Sequence, residues 1–166
     1  MRNKQNVKLA AVFVCMVMIG CASRGAVKPV EQAAPGGIDE IMKINWFLIE
    51  FKTAGTIINL NRPQLEAEEM GDVFSIQFDI QFENEHRAFG KGAANRYNAP
   101  CQWGDGNTIS IGSAATTRMM ALKELELFKE QDFFNYLSQV NRWAINAHGQ
   151  LELSTPNGAV LTFEKK

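Results

Sequence analysis

The two histidines of this 166-residue chain, His86 and His148, stand far apart and without cysteine company. A zinc site needs several clustered ligands, so the spacing predicts no metal. Gly90-Lys91-Gly92 begins like a phosphate-binding loop, but Asn95 occupies the third glycine position and no helix follows, so a dinucleotide fingerprint fails. Ser110 and Ser113 have neither an elbow motif nor a nearby histidine, which leaves a hydrolase triad without support. Carboxylates cluster at Glu66, Glu68 and Glu69, at Glu83 and Glu85, and at Glu124 and Glu126. Held a few ångströms apart in a rigid cleft they would do glycosidic chemistry; in loops or on solvent faces, as they fall here, they are solvated charge. Trp103 with Tyr97 would make an aromatic floor for a sugar or peptidoglycan fragment, although core or rim packing is the commoner fate of such residues. No catalytic residue, cofactor or metal is therefore expected, and the chain is not expected to be an enzyme.

The cysteines carry a different message. Arg2, Lys4 and Lys8 precede an unbroken apolar run from Leu9 to Ile19, and Gly20 stands directly before Cys21. These are the parts of a secretory signal, with a run too short to cross a bilayer as a helix. The ending Val17-Met18-Ile19-Gly20-Cys21 resembles the lipobox of bacterial lipoproteins, with Met18 in place of the usual Leu. The resemblance implies removal of residues 1–20 and lipid on Cys21. One acyl chain anchors only marginally, at about 0.8 kcal/mol per buried CH₂, so stable attachment takes two or more. Ala22 rather than Asp after the cysteine points to the outer membrane rather than the inner one. Cys15 leaves with the leader, Cys101 remains as a lone thiol expected to be buried, and no internal disulfide can form.

With Arg2, Lys4 and Lys8 gone, 14 basic residues face 18 acidic ones, a net charge of −4. That balance excludes a nucleic-acid surface, which requires a concentrated basic face. Residues 21–42 are small, bear Pro and Gly, and are nearly free of large apolar side chains; they read as a flexible tether. Residues 43–166 suffice for one domain with one core.

Within that domain, Phe74, Ile76, Phe78, Ile80 and Phe82 alternate with polar residues, which predicts a long strand with one face toward a core and the other toward water. Trp46–Ile49, Thr56–Leu60 and Thr108–Ile111 read as further strands. Trp143 and Ile145, Leu151 and Leu153, and Leu161 and Phe163 form a meander around turns at His148-Gly149 and Pro156-Asn157-Gly158. Leu122 to Val140 lacks Gly and Pro, Phe133, Leu137 and Val140 recur at helical spacing, and Leu125 and Phe128 add a turn before them, predicting an amphipathic helix with Glu124, Glu130, Asp132 and Gln139 solvated on its outer face. The fold expected is mainly β with one helix: a small, closed or nearly closed antiparallel barrel carrying that helix.

Several segments together resemble the META domain of HslJ-like bacterial lipoproteins. Trp46-Phe47-Leu48 resembles its opening strand. Gly90, Asn95 and Tyr97 match the signature Gly-x-x-Gly-Cys-Asn-x-Tyr-x-Gly, while Ala93, Ala94 and Ala99 replace Gly, Cys and Gly. Thr117 and Met119 match a Thr-x-Met-Ala-Cys stretch whose cysteine falls at about Ala121. Leu151, Leu153 and Phe163 match the closing meander. The resemblance implies a lipocalin-like barrel and an envelope role in structure, stress tolerance, secretion or motility. It supplies no catalytic residues, so these matched positions are expected to be structural. The function expected is non-catalytic, through contact with an envelope protein partner. The alternative is a binding module for a small apolar or glycan ligand inside or at the mouth of the barrel, which an interior plugged by the phenylalanines of the 74–82 strand, Phe74, Phe78 and Phe82, would exclude.

Overall fold

Alternating apolar and polar side chains build one ten-stranded antiparallel sheet in the computed structural model, which describes residues 37–60, 76–119 and 128–165. The strands are β1 (Asn45–Lys52), β2 (Ile57–Asn59), β3 (Asp79–Asn84), β4 (Arg87–Lys91), β5 (Arg96–Trp103), β6 (Ile109–Ile111), β7 (Ala115–Thr116), β8 (Arg142–Ile145), β9 (Leu151–Ser154) and β10 (Val160–Lys165). Among the described residues one α-helix, α1 (Glu130–Leu137), lies between β7 and β8. The leader, Cys21, Phe74, Ala121 and the carboxylates at 66, 68, 69, 124 and 126 fall outside the described residues.

The strands run in the order β6-β5-β4-β3-β1-β10-β9-β8, with β2 added to β1 and β7 to β5. The two ends of that path come back together and nearly close a barrel. At the seam the Ile109 N–H donates to Asn141 O (3.2 Å) and the Trp143 N–H to Asn107 O (3.0 Å), with one isolated bridge between Thr108 and Arg142. Every other junction on the path is a ladder of three or more paired residues. The seam is the weakest line of the barrel.

Turn residues fix the hairpins. Asn84 Oδ1 accepts from the His86 N–H, and Asn146 Oδ1 accepts from the N–H groups of His148 and Gln150, the Asx geometry that lets a short polar side chain close a turn. Gly106, Gly149 and Gly158 sit at φ of 65°, 73° and 84°, a region open to glycine at little cost. The interior is continuous and apolar: Trp46, Ile80, Phe82, Phe128, Phe133, Leu151, Leu153, Leu161 and Phe163 are all fully buried. Phe78, Ile80 and Phe82 do fill it, as their alternation predicts.

Two elements are shorter than the sequence pattern predicts. The strand read over Phe74–Glu83 forms only from Asp79, because β1 bulges at Ile49 and exchanges partners there: Asn45–Phe47 pair with β3, and Glu50–Lys52 pair with β2. Phe78 still accepts from the Leu48 N–H (2.9 Å), but Ile76 and Gln77 lie outside the ladder. Alternation reports where side chains point, not whether a neighbouring strand is present. Of the helix read over Leu122–Val140, residues 122–127 lie outside the described residues, and α1 begins at Glu130, since Lys129 is extended (φ −88°, ψ 160°). Its start is stabilised by Asp132, whose carboxylate accepts the Lys129 N–H at 3.1 Å. Phe128 and Val140 are buried by non-helical chain at either side, so they added to the periodicity without belonging to the helix. Ordered packing also starts earlier than residue 43. Ile38–Glu40 form a 3₁₀ turn, and Ile41 is completely buried with its carbonyl accepting from the Trp46 indole at 3.1 Å.

Candidate functional site

Asn95 lies at the start of β5, beside the turn that joins it to β4, and all four hydrogen-bonding positions of its side chain are taken. Its Nδ2 donates to Glu130 Oε2 (2.6 Å) and to Met119 O (3.2 Å). Its Oδ1 accepts from Thr117 Oγ1 (3.0 Å) and the Met119 N–H (2.7 Å). Glu130, in the first turn of α1, accepts two more bonds, from the N–H groups of Ala94 (2.9 Å) and Asn95 (2.8 Å). Thr117 Oγ1 also accepts from the Arg96 N–H at 3.1 Å. Three segments remote in sequence, the β4–β5 turn, the strip after β7 and the start of α1, are thus clasped through one amide and one carboxylate. Glu130 is not the solvated charge its place on the polar helix face predicts. Gly92 makes room for it: a Cβ at that position would sit 2.5 Å from Glu130 Oε1.

A second set of contacts lies next along the hairpin. Tyr97, buried, passes over Gly90, its cross-strand partner, and donates from its hydroxyl to Asp79 O at 2.8 Å. Gly90 is obligatory there, because any Cβ would collide with that same carbonyl of Asp79. Gly90 and Gly92 therefore serve close backbone and side-chain approach. Asp79 itself is only 8% exposed although it sits on the polar face of β3. Its carboxylate accepts from the Lys91 N–H (2.9 Å) and from Gln77 Nε2 (3.0 Å). Burial raises its pKa above 3.8; the bonds from Lys91 and Gln77 and the charges of Lys91 and Arg96 offset part of that. Burial, helped by the charge of Asp79, also pushes the Tyr97 phenol well above 10, so it stays a donor. Tyr97 then stacks edge-on against Phe133 (5.8 Å) and Phe134 (5.3 Å), which joins the hairpin to the helix.

These geometries coincide with the match to a family model. The META domain model matches residues 42–166. The chain belongs to the META-domain family. The fold agrees with an NMR structure of a protein from Burkholderia xenovorans, to which it is similar at a TM-score of 0.58 and 22% identity, over 84% of this chain and 96% of that one. No curated protein matches the chain.

In this META domain the other signature positions are core or backbone. Trp46, Leu151, Leu153 and Phe163 are buried in the barrel, and Met119 contributes its main chain to the clasp while its side chain is 65% exposed. His86 and His148 occupy separate turns, and among the described residues no group of His, Cys, Asp or Glu is placed to hold a metal. Tyr97 and Trp103 do not form one floor. They share a strand six residues apart, about 20 Å, and meet different partners: Phe133 and Phe134 for Tyr97, Phe82 and Trp143 for Trp103.

The end of the barrel away from the helix is built differently. Met42 bridges to Phe82, and the Lys43 N–H donates to Phe82 O (2.9 Å) with Lys43 at φ 60°, the sole non-glycine positive φ among the described residues. An open groove of about 430 Å³ runs between this segment and the β3–β4 turn, lined by Ile38, Asp39, Met42, Lys43, Glu83 and His86 among others. Beneath it Cys101 is buried, and burial pushes its thiol up to about 11, partly offset by the Trp103 indole, which does not reach hydrogen-bonding geometry. The indole nitrogens of Trp103 and Trp143 are buried here without a partner.

Proposed function

We propose that this META-domain protein is a lipid-anchored module of the bacterial envelope that acts by contact with another envelope protein and not by catalysis. Support for the anchor comes from the sequence, where a basic, apolar leader ends at Gly20-Cys21. The observation that carries the contact reading is the clasp: Asn95 and Glu130, the polar side chains that the signature gathers, direct their hydrogen bonds at each other and at neighbouring backbone. A packed interior of fully buried Phe82, Phe133 and Phe163 favours the same reading.

The test is site-specific photocrosslinking in intact bacteria from exposed positions on α1 (Gln131) and on the seam strand (Arg142), with Cys21→Ala as the anchor control. The expected result is capture of one envelope protein from the anchored chain, with the control lost from the membrane fraction. Repeated absence of any captured protein contradicts the contact reading. A membrane-bound Cys21→Ala variant contradicts the anchor. The groove at Ile38–Lys43 and Glu83–His86 favours a second reading, a small glycan or apolar ligand held at the barrel mouth, and its volume lies within the range of small-molecule sites. Saturable glycan binding abolished by substitutions in that groove would establish it.

A further inference from the structure

Met119 matches a signature position of the family, yet the clasp uses only its main chain: its N–H donates to Asn95 Oδ1 (2.7 Å) and its carbonyl accepts from Asn95 Nδ2 (3.2 Å). Any residue but proline supplies those two groups, so the clasp does not account for the methionine side chain, which is 65% exposed. Among the described residues Ile57 is the other large apolar side chain standing in solvent, and it carries no heteroatom. Met119 presents a thioether, a soft, polarizable sulfur open to two-electron oxidants. We infer that Met119 is an oxidation site of the folded protein, where a peroxide is consumed to form a sulfoxide that a reductase can reverse.

Three sulfur atoms fall among the described residues, and their surroundings rank them. Met42 is half-buried, with its main chain bridged to Phe82. Cys101 is buried and its thiol is pushed up to about 11, which leaves little of the reactive thiolate near neutral pH. Met119 alone stands mostly in solvent. With hydrogen peroxide its sulfur takes one oxygen, the O–O bond breaks and water leaves; a dithiol later removes that oxygen as water and becomes a disulfide. The fold tolerates the product because the new S–O group lies in solvent, while the bonds to Asn95 run through main-chain atoms. In a core the same change would set a polar group among apolar walls.

The experiment exposes the native full chain to hydrogen peroxide, with a denatured sample as reference, and follows each sulfur by peptide mass spectrometry. Fragment ions separate Met119 from Met120. Folding is expected to slow oxidation at Met119 by no more than about twofold, in keeping with its exposure, and to slow Met42 and Cys101 more. A larger slowing at Met119, or a smaller one at either of the other sulfurs, overturns the site. Methionine sulfoxide reductases with dithiothreitol should restore the mass of the Met119 peptide in the folded chain; a persistent extra oxygen overturns the repair. Met119→Gln, with a polar side chain of similar length, should unfold at the wild-type denaturant midpoint. A fall as large as that of Asn95→Ala would show that a polar group at this place breaks the clasp, and overturns the tolerance.

Discussion

The two ends of this barrel solve the same problem, how to close an apolar interior, with different chemistry. At the helix end α1 packs on Phe51, Phe78 and Tyr97, and the polar groups beside it satisfy one another: Asn95 with Glu130, Thr117 and Met119, and Tyr97 with the main chain of Asp79. At the other end Ile41 plugs the interior from a 3₁₀ turn, Lys43 accepts a left-handed backbone, and two indole donors lack a protein partner. A fully satisfied buried network specifies one arrangement of the segments it joins, whereas unpaired groups mark the place where a structure yields. Asn95, Tyr97 and Gly90 lie at the first end. The groove and the seam lie at the second.

That contrast can be broken in order of size. Phe133→Ala removes a fully buried ring that touches Phe78, Tyr97 and Phe134, and is expected to cost about 3–5 kcal/mol in denaturant unfolding. A loss under about 1 kcal/mol would mean that α1 is not part of the core. Asn95→Ala strands Glu130 and Thr117 and is expected to cost about 2 kcal/mol, against under about 1 kcal/mol for His86→Ala, an exposed residue on the rim of the groove at the other end. Equal costs would erase the distinction between the ends.

Asp79 gives a prediction in pH. Its folded carboxyl binds a proton more tightly than the unfolded one, so the native state holds more protons just above pH 3.8. Stability should be greatest below that window and fall as pH rises through it. Asp79→Asn should remove this fall, seen as unfolding midpoints that stay level across the window. A wild-type stability that instead rises through it from this group would reverse the sign. Smallest is Arg87→Ala, which breaks an exposed ion pair with Glu83 at 3.1 Å and should change stability by less than about 1 kcal/mol.

Much of this architecture was legible in the sequence, because period-two alternation and Gly-bearing turns are local signals. Phe78, Ile80 and Phe82 point inward as their spacing requires, and Asn157-Gly158 turns the last hairpin. Element ends were not legible, because they depend on partners far away in the chain. The start of β3 is fixed by a bulge in β1, and Phe128 is buried by a bend instead of a helical turn. The clasp was half visible. Asn95, Thr117 and Met119 stand out through the family resemblance, but Glu130 lies on a polar helix face and looks like any solvated acid. Its one sequence trace is Gly92, whose missing side chain only gains meaning once a carboxylate is seen beside it. Nothing local distinguishes Trp143 from an ordinary core tryptophan, because an unpartnered donor is a property of what surrounds it.

The central claim is that Asn95 and Glu130 work as one clasp holding the helix to the barrel. A double-mutant cycle on unfolding free energy, with Asn95→Ala, Glu130→Ala and both together, measures it directly. Coupling of about 1–3 kcal/mol is expected for two groups joined by a 2.6 Å bond inside a shared network. Additivity to within about 0.5 kcal/mol would contradict it.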